Sequence, residues 1–125
     1  HQWQGTKDMS AFITVPETIN FLNEHNWADV TKRCHDINLW ARNQINDILK
    51  KEPIASDEFI GQMSSIFYNV KGDVFDFNIK FYLKYKIQIP FITWNDKTFL
   101  RISIQAYNSK EDIFKLLEAL DDLKH

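Results

Sequence analysis

Arg101 is one of only three arginines in the chain. It stands inside FLRISIQAYN, residues 99–108, whose apolar residues alternate as they do in a half-buried strand. Leu100, Ile102 and Ile104 fall on one face, and Arg101, Ser103 and Gln105 on the other. On a solvated face Arg101 is an ordinary surface charge. Under a second domain it needs a partner, because a buried guanidinium without one is costly. Its planar fork matches a carboxylate through two parallel hydrogen bonds. The chemistry it offers is therefore carboxylate recognition.

A second candidate is QGT, residues 4–6, just ahead of a helix. The Thr6 hydroxyl and the backbone amides around Gly5 can hold a phosphate, as free amides at a helix start do. The same tripeptide also serves as a plain turn.

Other constellations carry less. His25, Cys34 and His35 lack the paired spacing of a zinc site. Cys34 falls on an apolar helical stripe and reads as a small core residue. Asp57, Glu58, Asp121 and Asp122 read as solvated charges, without the enclosed surroundings that acid–base chemistry needs. With three glycines the chain holds no glycine-rich phosphate loop of the usual pattern.

The elements that must position these residues follow from periodicity. A helix is expected from about Asp8, with Phe12, Val15, Ile19 and Leu22 on one face and a kink or restart at Pro16. EHNW, residues 24–27, ends it. A longer helix is expected over about Ala28–Lys51, with Val30, Cys34, Ile37, Ala41, Ile45 and Ile48 as its apolar stripe and Arg42 mainly outside it. Residues 61–70 read as a strand. Asp73 can cap a helix over 74–85, with Phe75, Ile79, Tyr82 and Leu83 available for burial. IQIPFITW and FLRISIQA then read as a hairpin around WNDK, with Pro90 pointing to an edge position. Ser109 and Asp112 approximate a capping box for a last helix burying Ile113, Leu116, Leu117 and Leu120. The order α-α-β-α-β-β-α predicts an α+β domain of two layers, a small antiparallel sheet packed against helices.

Composition bounds the class. The 125 residues make one domain, with 1–50 as a helical connection and 51–125 as the α+β core. A net charge of −2 with mixed signs does not resemble a nucleic-acid footprint. No apolar run is long enough to span a membrane. One cysteine excludes an internal disulfide and fits a reducing, cytoplasmic setting. Eighteen residues, or 14%, are aromatic, which points to a bulky core or to apolar surface that meets another domain. A first residue other than Met leads us to expect that the chain begins inside a longer protein.

QGT and Arg101 occur together in one family. HQWQGTKDMSAFITVPETINFL resembles the start of the C-terminal region of class V aminotransferase-fold enzymes. It is most similar to the isopenicillin N epimerase-like and cysteine desulfurase-like branch. The resemblance continues through PIASDEFIGQM and YKIQIPFITWNDKTFLRISIQAYNSKEDIFKLLEAL, and so covers nearly the whole chain. Its most specific parts are the W-x-G-T-[KR]-D start and the L-R-[IV]-S-x-Q-x-Y-N-x-x-x-D end.

The resemblance implies the C-terminal domain of a homodimeric, fold type I enzyme that uses pyridoxal 5'-phosphate on an amino-acid substrate. It implies that Gly5 and Thr6 reach the cofactor phosphate and that Arg101 binds the substrate α-carboxylate. Tyr107 and Asn108 match the motif and shape the turn into the last helix. The family's aldimine lysine lies in a large N-terminal domain, and no lysine here stands in a matching context. Lys7 follows Gly-Thr, where the family carries Arg or Lys without that role. The implied partner is therefore that large domain, and the fragment alone is expected to be inactive. The reaction stays open among epimerisation, desulfuration, lysis and transamination. The rival expectation is a free-standing α+β ligand-binding or interaction module, in which Arg101 is surface and QGT a turn.

Overall fold

The computed structural model describes residues 5–124. The chain divides into two compact units, residues 1–30 and residues 31–125.

The first unit is helical. The helix expected from Asp8 is split into α1, Ser10–Ile13, and α2, Val15–Glu24. The Asp8 carboxylate accepts the Ser10 amide at 2.9 Å. This bond to a nearby amide favours the charged form and lowers the Asp8 pKa. The break falls at Thr14, and Pro16 then sits in the first turn of α2, where its missing N–H costs nothing. α2 ends at EHNW because Asn26 takes a left-handed conformation (φ 46°), which asparagine tolerates better than most residues. Phe21 stacks on His25 with ring centres 4.1 Å apart. No residue of α1 or α2 is buried, and Phe12, Val15 and Ile19 stay exposed.

α3 spans Trp27–Leu49 and stops where Lys50 turns left-handed (φ 53°). In the second unit its apolar stripe is buried at Cys34, Ala41 and Ile45. Its other buried residues overturn one expectation. Arg42, placed outside the stripe from periodicity, is only 3% exposed. It is held there because its guanidinium donates to the Ala55 carbonyl at 3.2 Å and to the Asn43 side-chain oxygen at 3.2 Å, and pairs with Asp57. Asp57 is thus a solvated carboxylate with a structural partner. It opens a single 3-10 turn, Asp57–Phe59.

The sheet has three antiparallel strands: β1 (Met63–Phe67), β2 (Phe91–Trp94) and β3 (Lys97–Ser103), in the order β1-β3-β2. All three are shorter than their apolar runs. Pro90 cannot donate to a ladder, so β2 starts only at Phe91 and lies at an edge. Asn95 and Asp96 both have positive φ (50° and 59°), the two-residue hairpin geometry that follows strand twist.

α4, Val74–Tyr85, is capped by Asp73, whose carboxylate accepts the Asp76 amide at 2.9 Å. α5, Lys110–Asp122, carries the full capping box of Ser109 and Asp112. It buries Ile113, Leu116, Leu117 and Leu120 as its periodicity predicts.

The helices cover one sheet face. Ile66, Phe91, Leu100 and Ile102 are buried there, each contributing about 1.5–3 kcal/mol. Asn38 of α3 donates to the Ser64 hydroxyl of β1 at 2.8 Å. The chain is therefore α+β, with two layers in the second unit.

α4 turns a different face inward from the one expected. Phe75, Ile79, Tyr82 and Leu83 remain exposed. Phe77 and Phe81 instead pack edge-on against Phe91, with ring centres 4.7 and 5.1 Å away. The helix is apolar on two sides, so periodicity could not choose between them. Among the described residues, no helix is long and apolar enough to cross a membrane.

Candidate functional site

Arg101 lies on the central strand, directly opposite Ser65 of β1. On its other side β3 has run past the start of β2, and the Arg101 amide donates to the Pro90 carbonyl at 3.1 Å. The strand alternates as its sequence requires. Leu100, Ile102 and Ile104 are no more than 2% exposed, while Ser103 and Gln105 face solvent. Arg101 is intermediate, half-covered by its surroundings. Its face is not wholly polar, because Phe99 is buried against Phe67, with ring centres 4.9 Å apart. Among the described residues the Arg101 guanidinium has no hydrogen-bond or ion-pair partner. A half-covered cation in that state is prepared to accept an anion from outside.

Two hollows meet at Arg101. Both share the extended connection Ile87–Pro90, which leaves α4 after Lys86 turns left-handed (φ 57°). The first, about 370 Å³, runs along the end of β3 to the start of α5 and carries polar groups from Lys86, Asn108, Asp112 and Lys115. Its one carboxylate, that of Asp112, is already engaged by the Ser109 amide at 3.1 Å. The second, about 740 Å³, has an apolar wall of Ile79, Tyr82 and Leu83 from α4. Neither hollow was legible as such in the sequence. The signal that could have pointed to them is Pro90, whose missing N–H ends the regular ladder with β3 and leaves its carbonyl as the contact to the Arg101 amide.

The turn after β3 is built by Asn108. Its side-chain oxygen accepts the Gln105 amide at 2.9 Å, and its own amide donates to the Gln105 carbonyl at 2.9 Å. Arg33 of α3 also donates to the Ala106 carbonyl at 3.2 Å. Tyr107 projects outward, 84% exposed.

Gly5 and Thr6 belong to the first unit, and Arg101 to the second. Gln4, with the rest of the chain's first four residues, lies outside the described residues. Gly5 takes a positive φ of 71°, and nothing lies within 4 Å of where a Cβ would stand. Thr6 is exposed. Lys7 sits over the Phe12 ring, 4.9 Å from its centre. Cys34 is a buried free thiol, in keeping with a packing role.

No family model matches the chain. It is 24% identical over 122 residues to isopenicillin N epimerase of Amycolatopsis lactamdurans. That alignment covers 96% of this chain but 31% of the epimerase, so the chain spans about a third of the length of the curated relative it matches. The similarity is weak and partial. It supports a distant relation between this chain and one portion of that epimerase.

Proposed function

We propose that the chain is the C-terminal, substrate-carboxylate-binding portion of a pyridoxal phosphate-dependent class V enzyme acting on an amino acid. One observation carries this reading. Arg101 is half-covered on the central strand, its guanidinium has no partner among the described residues, and 96% of the chain aligns with part of an epimerase.

The work of this portion is binding and orientation. Arg101 engages the substrate carboxylate through its two-pronged fork and so fixes the direction in which the α-carbon points. β3 fixes the backbone that carries Arg101, because its amide is bonded to the Pro90 carbonyl and it stands opposite Ser65 in the register with β1. Gly5 and Thr6 fit a phosphate contact. The open space at Gly5 lets phosphate oxygens approach the backbone closely, and Thr6 adds an exposed hydroxyl. When bound, pyridoxal phosphate would supply the electron sink for chemistry at the α-carbon. The aldimine lysine belongs to a large N-terminal domain outside this chain. A homodimer sharing phosphate contacts across its interface is part of the same proposal.

The test is Arg101→Ala in the full-length protein, with substrate affinity and KM measured. A charge-assisted carboxylate contact of this kind is worth about tenfold to a hundredfold in affinity. A loss in that range, with part of it restored in Arg101→Lys, supports the assignment. An unchanged KM and affinity in a folded Arg101→Ala variant removes it.

A further inference from the structure

A third hollow, of about 420 Å³, opens on the sheet face that the helices leave uncovered. The pairing register puts its strand residues on the face that carries Arg101. Arg101 stands opposite Ser65, and Phe99 stands between Phe67 on β1 and Ile92 on β2. Side chains two apart on a strand share a face, so the Arg101–Ser65 pair and the Phe99–Phe67 pair are neighbours, roughly 7 Å apart along the strands. Ile66, Leu100 and Ile102 alternate with them and are buried under the helices. Ser65 lines the hollow, which therefore begins at the Arg101–Ser65 pair and extends past the two phenylalanines to Trp94.

The floor is aromatic. The rings of Phe67 and Phe99 have centres 4.9 Å apart. Trp94 is 71% exposed, and Ile54, from the loop before β1, is 43% exposed. The one charged residue of the lining, Lys97, is seated over the Phe67 ring, 5.6 Å from its centre. No carboxylate lines the hollow, so nothing in it competes for Arg101.

We infer that this hollow receives the side chain of the substrate, and that the substrate is an amino acid with an aromatic side chain. The inference rests on the reading of Arg101 as the carboxylate contact. The occupant that complements this face has two parts: an anionic group for a cation that lacks a partner, and an apolar body for the uncovered rings beside it. The strand repeat sets its length. The step from the Arg101–Ser65 pair to the Phe99–Phe67 pair is comparable with the separation of a carboxylate from the ring in a phenylalanine-sized molecule. An aromatic ring placed there gains edge-on or offset contacts with Phe67, Phe99 or Trp94 beyond the burial of its area.

The experiment compares binding of propionate, 3-phenylpropionate and 3-phenylpropionamide to the full-length protein by calorimetry. None of the three has an amino group, so none can react with the cofactor. Burial of the phenyl group should make 3-phenylpropionate bind at least about tenfold more tightly than propionate. Trp94→Ala and Ile54→Ala should each lower that ratio about threefold or more. Both side chains are exposed, and an unchanged circular dichroism spectrum verifies that the fold is kept. If Trp94→Ala does not fold, Ile54→Ala decides alone.

The preference for 3-phenylpropionate over its amide should vanish in Arg101→Ala. If propionate and 3-phenylpropionate bind alike while the amide is still rejected, the aromatic side-chain assignment is overturned and the carboxylate reading stands. A ratio that neither Trp94→Ala nor Ile54→Ala changes puts the phenyl group elsewhere and overturns the inference, whether or not sedimentation shows an altered oligomeric state. If Arg101→Ala leaves the preference over the amide intact, the carboxylate reading falls, and this inference with it.

Discussion

Ser65 and Arg101 face one another across the antiparallel pair of β1 and β3. Residues paired in this way hold their Cβ atoms roughly 4.5–5.5 Å apart, close enough for one to govern the charge state around the other. Ser65→Asp would therefore place a carboxylate beside the Arg101 guanidinium. An internal ion pair would occupy the fork that the ligand needs. The expected outcome is at least tenfold weaker binding of carboxylate ligands by calorimetry, with stability changed by no more than about 1 kcal/mol. Binding that survives the substitution would mean that Arg101 does not hold the carboxylate.

Arg42 anchors the loop that precedes β1. It is 3% exposed, whereas the side chain of its partner Asp57 is 68% exposed. Removing the carboxylate leaves a buried cation, which is a heavier loss than that of a surface ion pair. The bonds to the Ala55 carbonyl and Asn43 remain and soften it. Asp57→Ala should cost about 1–3 kcal/mol in urea unfolding. Arg42→Met, which removes the charge while keeping the volume, should cost less than Arg42→Ala. Equal costs for the two Arg42 variants would show that lost packing plays no part.

Arg42 also shows where legibility ended. Its neighbours at four-residue spacing, Asn38 and Asn46, are buried too, so α3 turns a polar edge into the unit beside its apolar stripe. Periodicity sorts residues by type and assigns an arginine to the outside. Only the loop residue Asp57, distant in sequence, reveals the opposite. α4 failed for a related reason, because two apolar faces compete and tertiary packing against Phe91 selected Phe77 and Phe81.

Local chemistry, by contrast, was readable. The Asp73 cap, the Ser109–Asp112 capping box, the hairpin at Asn95–Asp96 and the edge strand after Pro90 depend on neighbours in the chain. The alternation that isolates Arg101 was readable too. The hollows it lines were not, since they arise along residues 87–90, outside the regular ladder.

Alkaline pH should weaken the fold. Burial, helped by the nearby Tyr85, pushes the Tyr68 hydroxyl above the ordinary tyrosine value of 10.0. Tyr85 is raised in the same direction, and Lys84 is raised through its bond to the Asp122 carboxylate. In each case the folded state holds its proton more tightly than the unfolded chain does. Their contribution is therefore fully present below the ordinary values and is lost as pH rises through and beyond them. Urea midpoints should fall as pH rises above about 10. Tyr68→Phe, which cannot ionise, should flatten part of that fall. A variant that follows the parent curve throughout would show that Tyr68 does not contribute.

Asn78 holds the edge strand to α4 through both backbone polar groups of one residue, Phe91. Its side-chain oxygen accepts the Phe91 amide, and its side-chain nitrogen donates to the Phe91 carbonyl, each at 2.9 Å. This pairing fixes the point where β2 begins, and with it the Ile87–Pro90 connection that lines both hollows beside Arg101. Asn78→Ala removes both partners at once. Each backbone group left unpaired costs about 1–3 kcal/mol, so the variant should lose about 2–5 kcal/mol in urea unfolding. Asn78→Asp keeps the acceptor for the Phe91 amide and loses only the donor, so its cost should be roughly half. Amide hydrogen exchange gives the local readout. Protection at Phe91 should collapse in Asn78→Ala and persist in Asn78→Asp, while protection at Leu100 should track global stability in both. If Phe91 stays protected in the alanine variant, the start of β2 is held by packing against Phe77 and Phe81 rather than by Asn78.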